Sequence, residues 1–385
     1  IDCVIGASCM HTLEKTFPYT LRDAVPALAV PLNNDGCDNT VIDIDRLRAF
    51  IHLRNPQTRF QRLNIQSLKK EVRSWFKPHQ LSRFFGSAQT ETLELALSWL
   101  GASGKRWRPI FLASVYRALT NTREKTPENV IRAAVAVECF HKASLIHDDI
   151  EDNDTERDGE KTMHSRHGIP AALNTGDYLI GEGYRLISEF SACDSLKSRL
   201  LTIAADSHRA LCLGQGEELA MLRCDAPVSY DRLIRIASGK TAPAFETGLR
   251  FGAVCADASA KVHDVLRDYS KAIGVAYQIH DDLKDLRDGS LAENPAKLRT
   301  SFVLALAYEA AQNSACAWLR RFWTDPENEY DPEIFHRVLD ELDIETRAET
   351  LIQEYRTNAL SALQDLTNVD LKVLLHRLSF RIFKE

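Results

Sequence analysis

Two clusters of aspartates are the residues in this sequence whose types and spacing are best suited to chemistry. Asp148, Asp149 and Asp152 follow the long apolar run VIRAAVAVECFHKASLIH. Asp148 and Asp152 are four residues apart, so they share one face if the run is helical. Carboxylates after an apolar run are costly unless a cation neutralises them, and hard oxygen ligands of this kind suit Mg²⁺. The alternative reading is a solvated acidic helix end.

The second cluster repeats the DDxxD spacing of the first in the segment AYQIHDDLKDL. It consists of Asp281, Asp282 and Asp285, again after an apolar helical run. Two such clusters that face each other across a helical bundle would hold several magnesium ions around one diphosphate. The repetition makes a solvated helix end a weaker explanation for either cluster.

The elements that must position these clusters are predicted to be helices. From about Asn64 onward apolar residues recur with helical spacing, and strand-type alternation is absent after residue 60. We expect one large all-α bundle over residues 59–385. The predicted helices are the central apolar segment and the runs 170–191, 195–223, 229–255, 260–288, 300–323, 333–342, 344–365 and 368–384.

Residues 1–58 have a different pattern from the rest of the chain. Two short strand-like runs, DCVIGASC and VPALAVPL, flank a helical-looking segment, which predicts a fragment of an upstream α/β unit. Cys3, Cys9 and Cys37 cluster here, but their spacing matches no metal or iron–sulfur site. Residues 53–64 are polar and are predicted to be a linker.

Composition excludes several classes of function. The 385 residues carry a net charge of −6, which gives no reason to expect a nucleic-acid partner. The nine cysteines are scattered without a CxxC pair, so a disulfide framework is not expected. No long uncharged apolar stretch and no signal peptide are visible, so we expect a cytoplasmic protein without integral membrane association.

Together, the two DDxxD motifs of a helical chain resemble the aspartate-rich motifs of the trans-isoprenyl diphosphate synthase, or polyprenyl synthetase, family. The resemblance covers roughly residues 65–385. It implies the helical bundle of the isoprenoid synthases and a homodimer. It also implies two substrates, an allylic diphosphate and isopentenyl diphosphate, and Mg²⁺ as cofactor, with three ions per active site.

Further segments resemble the family in the expected order along the chain. GKRWRP resembles the basic loop that binds the diphosphate of isopentenyl diphosphate, with Lys105 and Arg108 at the binding positions and Arg106 adding charge. Arginine offers bidentate contacts to phosphate oxygens, and lysine a compact charge. His141, two turns before Asp148, stands where the family places His or Gln against the same diphosphate.

The remaining matches concern the allylic diphosphate. SGKTAPAF resembles a Lys-Thr motif in which Lys240 contacts this diphosphate and Thr241 faces the developing cation. Gln215 matches a Gly-Gln motif, although Glu218 stands where Asp is usual. Gln278 matches the glutamine that precedes the second aspartate motif. The resemblance therefore makes Lys240, Thr241 and Gln278 catalytic candidates beside the aspartates.

Two departures from the family pattern concern positive charge. The family has two adjacent arginines after the first motif, for the allylic and isopentenyl diphosphates, whereas this chain has Arg157 and then Asp158. An acid there would weaken the second site unless it turns outward or Lys161 or Arg166 compensates. The loop after the second motif is short, and Lys297 is a weak candidate for its usual lysine.

Product length is predicted from the helix before the first motif. Ala143 and Ser144, one turn deeper than Asp148, are small and would not block a growing chain, whereas Phe140 would close the pocket one turn further down. We therefore expect products longer than C15, with C20–C25 favoured.

Two other functions remain open at this stage. A class I terpene cyclase would ionise the same substrates without isopentenyl diphosphate; Asp158 favours it, whereas the second DDxxD and GKRWRP argue against it. A non-catalytic subunit that pairs with an active synthase would tolerate loss of metal ligands, but both clusters are intact.

Overall fold

The structure is a computed structural model that describes residues 4–22, 25–33, 40–52, 63–102, 104–122, 124–224, 227–289, 298–325 and 330–383. The chain forms two compact units, one of residues 1–63 with 363–385 and the other of Asn64–Ala362. The predicted boundary at residue 58 and most of the predicted linker lie outside the described residues. The division into domains at 1–58 and 59–385 stays a prediction.

The described elements are, in chain order, β1 (Val4–Ser8), α1 (Met10–Arg22), β2 (Ala27–Pro31), α2 (Ile44–Ile51), α3 (Ile65–Trp75), α4 (Pro78–Phe85), α5 (Glu91–Gly101), α6 (Trp107–Thr120), α7 (Glu128–Glu151), β3 (Glu156–Arg157), β4 (Glu160–Lys161), α8 (Met163–His167), α9 (Ile169–Ser188), α10 (Asp194–Leu222), α11 (Tyr230–Cys255), α12 (Ala260–Asp288), α13 (Phe302–Ala310), α14 (Asn313–Thr324), α15 (Pro332–Glu341), α16 (Ile344–Ala362) and α17 (Val369–Arg381).

The unit that contains the N-terminus is a small α/β arrangement. Strands β1 and β2 pair in parallel, from Val4 opposite Ala27 to Ser8 opposite Pro31, with α1 as the crossover between them. The predicted strand–helix–strand order is confirmed. Cys9 is half-buried and its sulfur lies 3.2 Å from the hydroxyl of Thr12. Cys3 and Cys37 lie outside the described residues.

Residues Asn64–Ala362 form the helical unit, and the all-α prediction is confirmed. Helix α7 is its central element, since five consecutive residues from Ala133 to Val137 are fully or almost fully buried. Such all-round burial needs neighbours on several sides. Helix α7 packs against α6, α9 and α11. Its last residue is followed by Asp152, whose N–H bonds to the carbonyl oxygens of Asp148 and Ile150.

Helix α11 contacts α6, α10 and α12, and glycines allow two of these helices to approach closely. A Cβ atom at Gly248 would lie 2.9 Å from the carbonyl oxygen of Arg108 on α6. A Cβ atom at Gly274 on α12 would lie 2.6 Å from the Cα atom of Ala242 on α11. These contacts place α6 and α12 directly against α11.

Two predictions about elements were wrong. The predicted helix 300–323 is two helices, because Ala311 adopts an extended backbone conformation (φ −71°, ψ 142°) that ends α13. The predicted absence of strands after residue 60 fails at the hairpin of β3 and β4, in which Glu156 pairs with Lys161 and Arg157 with Glu160.

No helix among the described ranges is both long enough and apolar enough to cross a lipid bilayer.

Candidate active site

The first aspartate cluster lies at the C-terminal end of α7. Asp148 is half-buried, and desolvation raises the pKa of its carboxyl group to about 6 although Lys240 opposes that rise. The neighbouring carboxylates of Asp152 and Glu151 raise it further. The α7 terminus therefore concentrates negative charge that a cation would stabilise.

Asp149, the second residue of the cluster, points into the protein. Its side chain is 1% exposed, and its Oδ1 atom accepts hydrogen bonds from Nε and Nη2 of Arg157, both at 2.6 Å. Its Oδ2 atom is buried with no hydrogen-bond partner among the described residues. Asp149 thus fixes Arg157 beside the cluster and retains one carboxylate oxygen for a further ligand.

The second cluster lies near the C-terminal end of α12. Burial raises the pKa of Asp281, while Lys284, His280 and Lys105 act to lower it. Lys105 of the GKRWRP loop is therefore within electrostatic range of the second cluster.

Asp282 differs from its neighbours because both of its oxygens are engaged. Oδ1 accepts from Nε2 of Gln278 at 3.1 Å, and Oδ2 accepts from the backbone N–H of Phe302 at 2.6 Å. Burial raises the pKa of Asp282 to about 7. Thr241 on α11 donates to Oε1 of Gln278 at 2.9 Å. A hydrogen-bond chain of Thr241, Gln278 and Asp282 therefore ties α11 to α12 and to the start of α13.

Lys240 lies among three carboxylates. Its Nζ atom donates to Oε2 of Glu218 at 2.6 Å. Burial acts to lower the pKa of Lys240, but Glu218, Asp148 and Asp152 together raise it. Glu218, which stands where the family usually has Asp, thus reaches Lys240 across the α10–α11 contact.

Arg108 connects the two aspartate clusters. Burial lowers the pKa of its guanidinium group, and Glu138, Tyr277 and Asp148 oppose that effect. Tyr277 in turn interacts electrostatically with Asp281 and Asp285. Arg108 is therefore within electrostatic range of Asp148 in the first cluster and of Tyr277, which lies one helical turn before the second cluster on α12. The sequence could not establish this convergence.

His141 lies close to the same positive charges. Burial lowers its pKa well below the ordinary value for histidine, and Arg108, Lys142, Arg106 and Arg157 lower it further. The imidazole is consequently neutral at pH 7. Its Nδ1 atom is buried without a hydrogen-bond partner in the described part of the chain, so it is available to a ligand.

Arg106, which was predicted to add charge to diphosphate binding, makes its direct contacts within the protein, and its role at the diphosphate stays a prediction. Arg106 is buried, and its Nη1 atom bonds to Oε1 of Glu138 at 2.5 Å. Its Nη2 atom donates to the carbonyl oxygens of Leu100 and Ala102, and its guanidinium lies 4.4 Å from the ring centroid of Phe76. Arg106 therefore anchors the basic loop to the end of α5 and to α7.

Gln215 is buried on α10 and directly follows Gly214, which packs closely against α11. A Cβ atom at Gly214 would lie 2.8 Å from the backbone nitrogen of Lys240. The Oε1 atom of Gln215 is buried and has no partner within the described ranges. An unpaired buried amide oxygen of this kind is costly unless a ligand satisfies it.

The proposed chain-length residues occupy different environments on α7. Phe140 is half-buried and packs edge-on against Tyr184 of α9, with ring centroids 5.0 Å apart. A Cβ atom at Gly183 would lie 2.6 Å from this phenyl ring. Ala143 is fully buried, and the Ser144 hydroxyl bonds to the carbonyl oxygen of His141 at 2.9 Å.

The departure at Asp158 has a local explanation that sequence reasoning missed. Asp158 and Gly159 connect β3 to β4 with φ values of 53° and 78°. A type I′ hairpin turn requires positive φ at both central residues and favours Asp-Gly. Asp158 is exposed, Lys161 is exposed, and Arg166 pairs with Glu160 at 2.6 Å. Lys297 lies outside the described residues.

The residues present fit Mg²⁺ in the mode in which substrate phosphates complete the coordination shell. No group of three or more His, Cys, Asp or Glu side chains among the described residues is arranged to hold a metal ion alone. Mg²⁺ is commonly bound through one or two carboxylates together with phosphates and waters. The site meets this requirement with the carboxylates of Asp148 and Asp152 and with the unpaired Oδ2 atom of Asp149. Lys240, which lies among carboxylates, adds a positive charge for the phosphates.

Comparison with known proteins establishes the family. The family model described as "Polyprenyl synthetase" matches residues 90–314, which is more than half of the chain. The chain belongs to the polyprenyl synthetase family. A short chain isoprenyl diphosphate synthase of Methanocaldococcus jannaschii is 35% identical over 188 residues, covering 49% of this chain and 55% of that protein. A geranylgeranyl diphosphate synthase of Saccharolobus solfataricus is 33% identical over 205 residues, covering 52% and 59%.

The aligned region thus spans little more than half the length of these curated relatives. Solved structures share the fold over a longer range. Geranylgeranyl pyrophosphate synthetase from Pyrococcus horikoshii has a TM-score of 0.71 at 22% identity and covers 83% of this chain and 98% of its own. A polyprenyl synthase from Caulobacter crescentus, solved with calcium and isoprenyl diphosphate, has a TM-score of 0.67 at 22% identity, covering 83% and 94%.

Proposed function

We propose that this member of the polyprenyl synthetase family is a trans-prenyltransferase. It condenses an allylic diphosphate with isopentenyl diphosphate and releases a polyprenyl diphosphate of C20 or longer. The observation that carries the proposal is that Arg108 lies within electrostatic range of Asp148 and of Tyr277, and that Tyr277 lies within electrostatic range of Asp281 and Asp285. Both aspartate clusters then act on one substrate pair.

The allylic diphosphate is assigned to the carboxylates and cations at the end of α7 and on α11. Magnesium, for which we propose three ions, supplies Lewis-acid neutralisation of the departing pyrophosphate when bound. Asp148, Asp149, Asp152, Asp281 and Asp285 would hold it. Asp282 contributes mainly by fixing Gln278, because its oxygens are engaged. The bound calcium and isoprenyl diphosphate of the Caulobacter crescentus protein support this assignment.

Arg157 and Lys240 place positive charge where the pyrophosphate leaves. Arg157 is oriented by Asp149, and Lys240 by Glu218, so neither cation has to reorganise during the reaction. Thr241, held by Gln278, presents its oxygen toward the allylic cation. Gln215 offers an unpaired buried amide oxygen in the same region.

Isopentenyl diphosphate is assigned to Lys105, Arg108 and His141. The neutral imidazole and the two cations bind its diphosphate and orient its double bond toward the allylic cation. The proton lost after condensation goes to the released pyrophosphate, so none of these side chains has to act as a general base. Phe140, braced by Tyr184, closes the pocket for the growing chain, with Ala143 and Ser144 above it.

The test is a product assay with C5, C10, C15 and C20 allylic primers, each with and without isopentenyl diphosphate, in the presence of Mg²⁺. We expect longer prenyl diphosphates only when both substrates are present. Hydrocarbon or alcohol released without isopentenyl diphosphate would instead identify a cyclase. Absence of any product would support a non-catalytic subunit.

Product length is tested separately with Phe140→Ala. The expected result is a shift of the product distribution to longer chains, measured by chromatography after dephosphorylation. An unchanged distribution would reject Phe140 as the floor of the pocket.

A homodimer is part of the proposal and is supported by the family. Ile169 and Leu173, near the start of α9, are exposed apolar side chains in the isolated chain. Light scattering during size-exclusion chromatography will report a mass of twice 43.4 kDa if the 385-residue chain dimerises. Cytoplasmic localisation stays a prediction.

A further inference from the structure

Lys142 is a buried cation to which the proposed reaction assigns no role. It follows His141 on α7, and the residue is only 5% exposed. Its Nζ atom lies 4.1 Å from the ring centroid of Trp99 on α5. The indole nitrogen of Trp99 donates to the carbonyl oxygen of Lys142 at 2.9 Å, which fixes the aromatic ring beneath the ammonium group.

The charges around Lys142 do not provide it with a direct partner. Glu138 lies one turn earlier on the same face of α7, and its Oε1 atom accepts a hydrogen bond from Arg106. Its Oε2 atom is buried without a partner among the described residues. Across the described ranges, no carboxylate lies within ion-pair distance of the Lys142 ammonium. Asp158 attracts it at longer range, whereas Arg106 and Arg157 repel it.

A cationic side chain that is largely buried without a direct counter-ion is destabilised in its charged form, and this shows in its pKa. Burial lowers the pKa of Lys142 to about 8, with Arg106 adding to the effect and Glu138 opposing it. Cation–π contact with Trp99 offsets only part of the lost hydration. An anion bound beside His141 would supply the counter-ion that the Lys142 ammonium lacks.

We propose that Lys142 is a binding residue for the diphosphate of isopentenyl diphosphate and completes a site formed by Lys105, Arg108 and His141. This assignment rests on the proposed function. It also accounts for the tolerated acid at position 158. Because Asp158 occupies an exposed hairpin turn and interacts favourably with Lys142, it need not oppose the substrate phosphate.

The decisive variant is Lys142→Met, which keeps the length of the side chain and its contact with Trp99 but removes the charge. The matched control is Lys271→Met, which removes one positive charge from an exposed position on α12. Calorimetric titration with isopentenyl diphosphate alone, at pH 7 and without primer, measures binding without turnover. A parallel titration uses a non-hydrolysable thiolodiphosphate analogue of an allylic substrate.

The expected result is a loss of affinity for isopentenyl diphosphate of about tenfold or more in Lys142→Met, with allylic affinity within twofold of the wild type. Lys271→Met should leave both affinities within twofold. Unchanged isopentenyl diphosphate binding in Lys142→Met, or equal weakening of both ligands, would overturn the proposal.

A second measurement keeps the proposal testable if Lys142→Met fails to fold. The affinity of the wild type for isopentenyl diphosphate should fall about tenfold between pH 7 and pH 9.5, as the ammonium loses its proton. In Lys142→Arg the affinity should be constant over that range. The charged groups that act on residue 142 are Glu138, Arg106, Arg157 and Asp158. A wild-type profile identical to that of Lys142→Arg would reject the role.

These binding experiments separate the two proposals. If the wild type binds isopentenyl diphosphate but never condenses it, the prenyltransferase assignment fails, whereas Lys142 can still be tested as a ligand. If it condenses the substrates and Lys142→Met binds normally, only the assignment of Lys142 fails.

Discussion

Asp148 shows at the scale of one residue how a functional group opposes stability. The pKa of its carboxyl group rises from the ordinary aspartate value of 3.8 to about 6 in the folded chain. The folded state therefore binds this proton more tightly, and the favourable contribution present below about pH 4 is lost as pH rises to about 6. Above pH 6 the metal-free protein carries an unfavourable buried charge at this position.

Asp148→Asn is expected to raise the melting temperature of the metal-free protein at pH 7.5 by a few degrees and to reduce turnover at least about 100-fold. Scanning calorimetry in the presence of a chelator and a condensation assay with Mg²⁺ measure the two effects. The control is Asp264→Asn on α12, an exposed carboxylate paired with Arg267, which should change neither quantity appreciably. A lower melting temperature for Asp148→Asn would contradict the account.

Asp282→Ala tests whether the second aspartate of the α12 cluster is mainly structural. The variant leaves the N–H of Phe302 and the amide of Gln278 without their acceptor, which should lower the free energy of unfolding by about 1–3 kcal/mol. Urea denaturation measures the loss, and Asp268→Ala, at an exposed position on the same helix, serves as the control. Normal stability combined with loss of Mg²⁺-dependent turnover would show instead that Asp282 is a metal ligand.

Sequence spacing indicated which residue types gather near the site, but it could not assign individual atoms. Arg106 and Arg108 are equivalent as letters in GKRWRP. Only the buried partner Glu138, 32 residues away, shows that Arg106 holds the loop in place. Likewise, Asp149 differs from Asp148 because Arg157, eight residues later, folds back onto it. Such long-range partners leave no local signal in the chain.

At the scale of elements, the separation of α11 and α12 is set by Gly274. Gly274→Ala places a Cβ atom 2.6 Å from the Cα atom of Ala242, so the helices must separate. The expected cost is about 1–3 kcal/mol of unfolding free energy, with reduced turnover because Thr241 and Gln278 lose their hydrogen-bond geometry.

Gly181→Ala on α9 is the matched control, since a Cβ atom there meets nothing within 4 Å. It should be neutral or stabilise the protein by up to about 1 kcal/mol, because alanine favours helix over glycine. Chemical denaturation of both variants measures the difference. Equal stability of Gly274→Ala and wild type would contradict the close approach of these helices.

The helices were largely predictable from the sequence because apolar periodicity and turn residues mark them. Predicted 229–255 and 260–288 correspond to Tyr230–Cys255 and Ala260–Asp288. The break between α13 and α14 was missed because Ala311 carries no glycine or proline signal. The hairpin of β3 and β4 was missed because strands of two residues are too short to show alternation.

At the scale of the whole molecule, the C-terminal segment groups with the N-terminal unit. Helix α17 contacts α1, and its apolar residues, among them Leu371, Leu375 and Leu378, are buried. The family match at residues 90–314 lies within the helical unit. The all-α class of that unit was predictable, whereas this discontinuous grouping had no sequence signal.

Truncation tests the grouping. Removal of residues 1–63 alone should expose part of the apolar face of α17 and lower the soluble yield. Removal of residues 1–63 together with 363–385 should recover the yield, because both halves of the small unit are then absent. Soluble expression and melting temperature compare the two forms. A single deletion as soluble as the double deletion would show that α17 does not depend on the N-terminal residues.

The central claim is that the two aspartate clusters act together on one leaving pyrophosphate. The most direct measurement is kcat for condensation of an allylic primer with isopentenyl diphosphate in Asp148→Asn, Asp281→Asn and the double variant. We predict that each single change lowers kcat at least about 100-fold. The kcat of the double variant should be close to that of the less active single variant, because the effects of groups that act as a unit are not additive. Wild-type turnover in either single variant, or losses that simply multiply in the double variant, would contradict it.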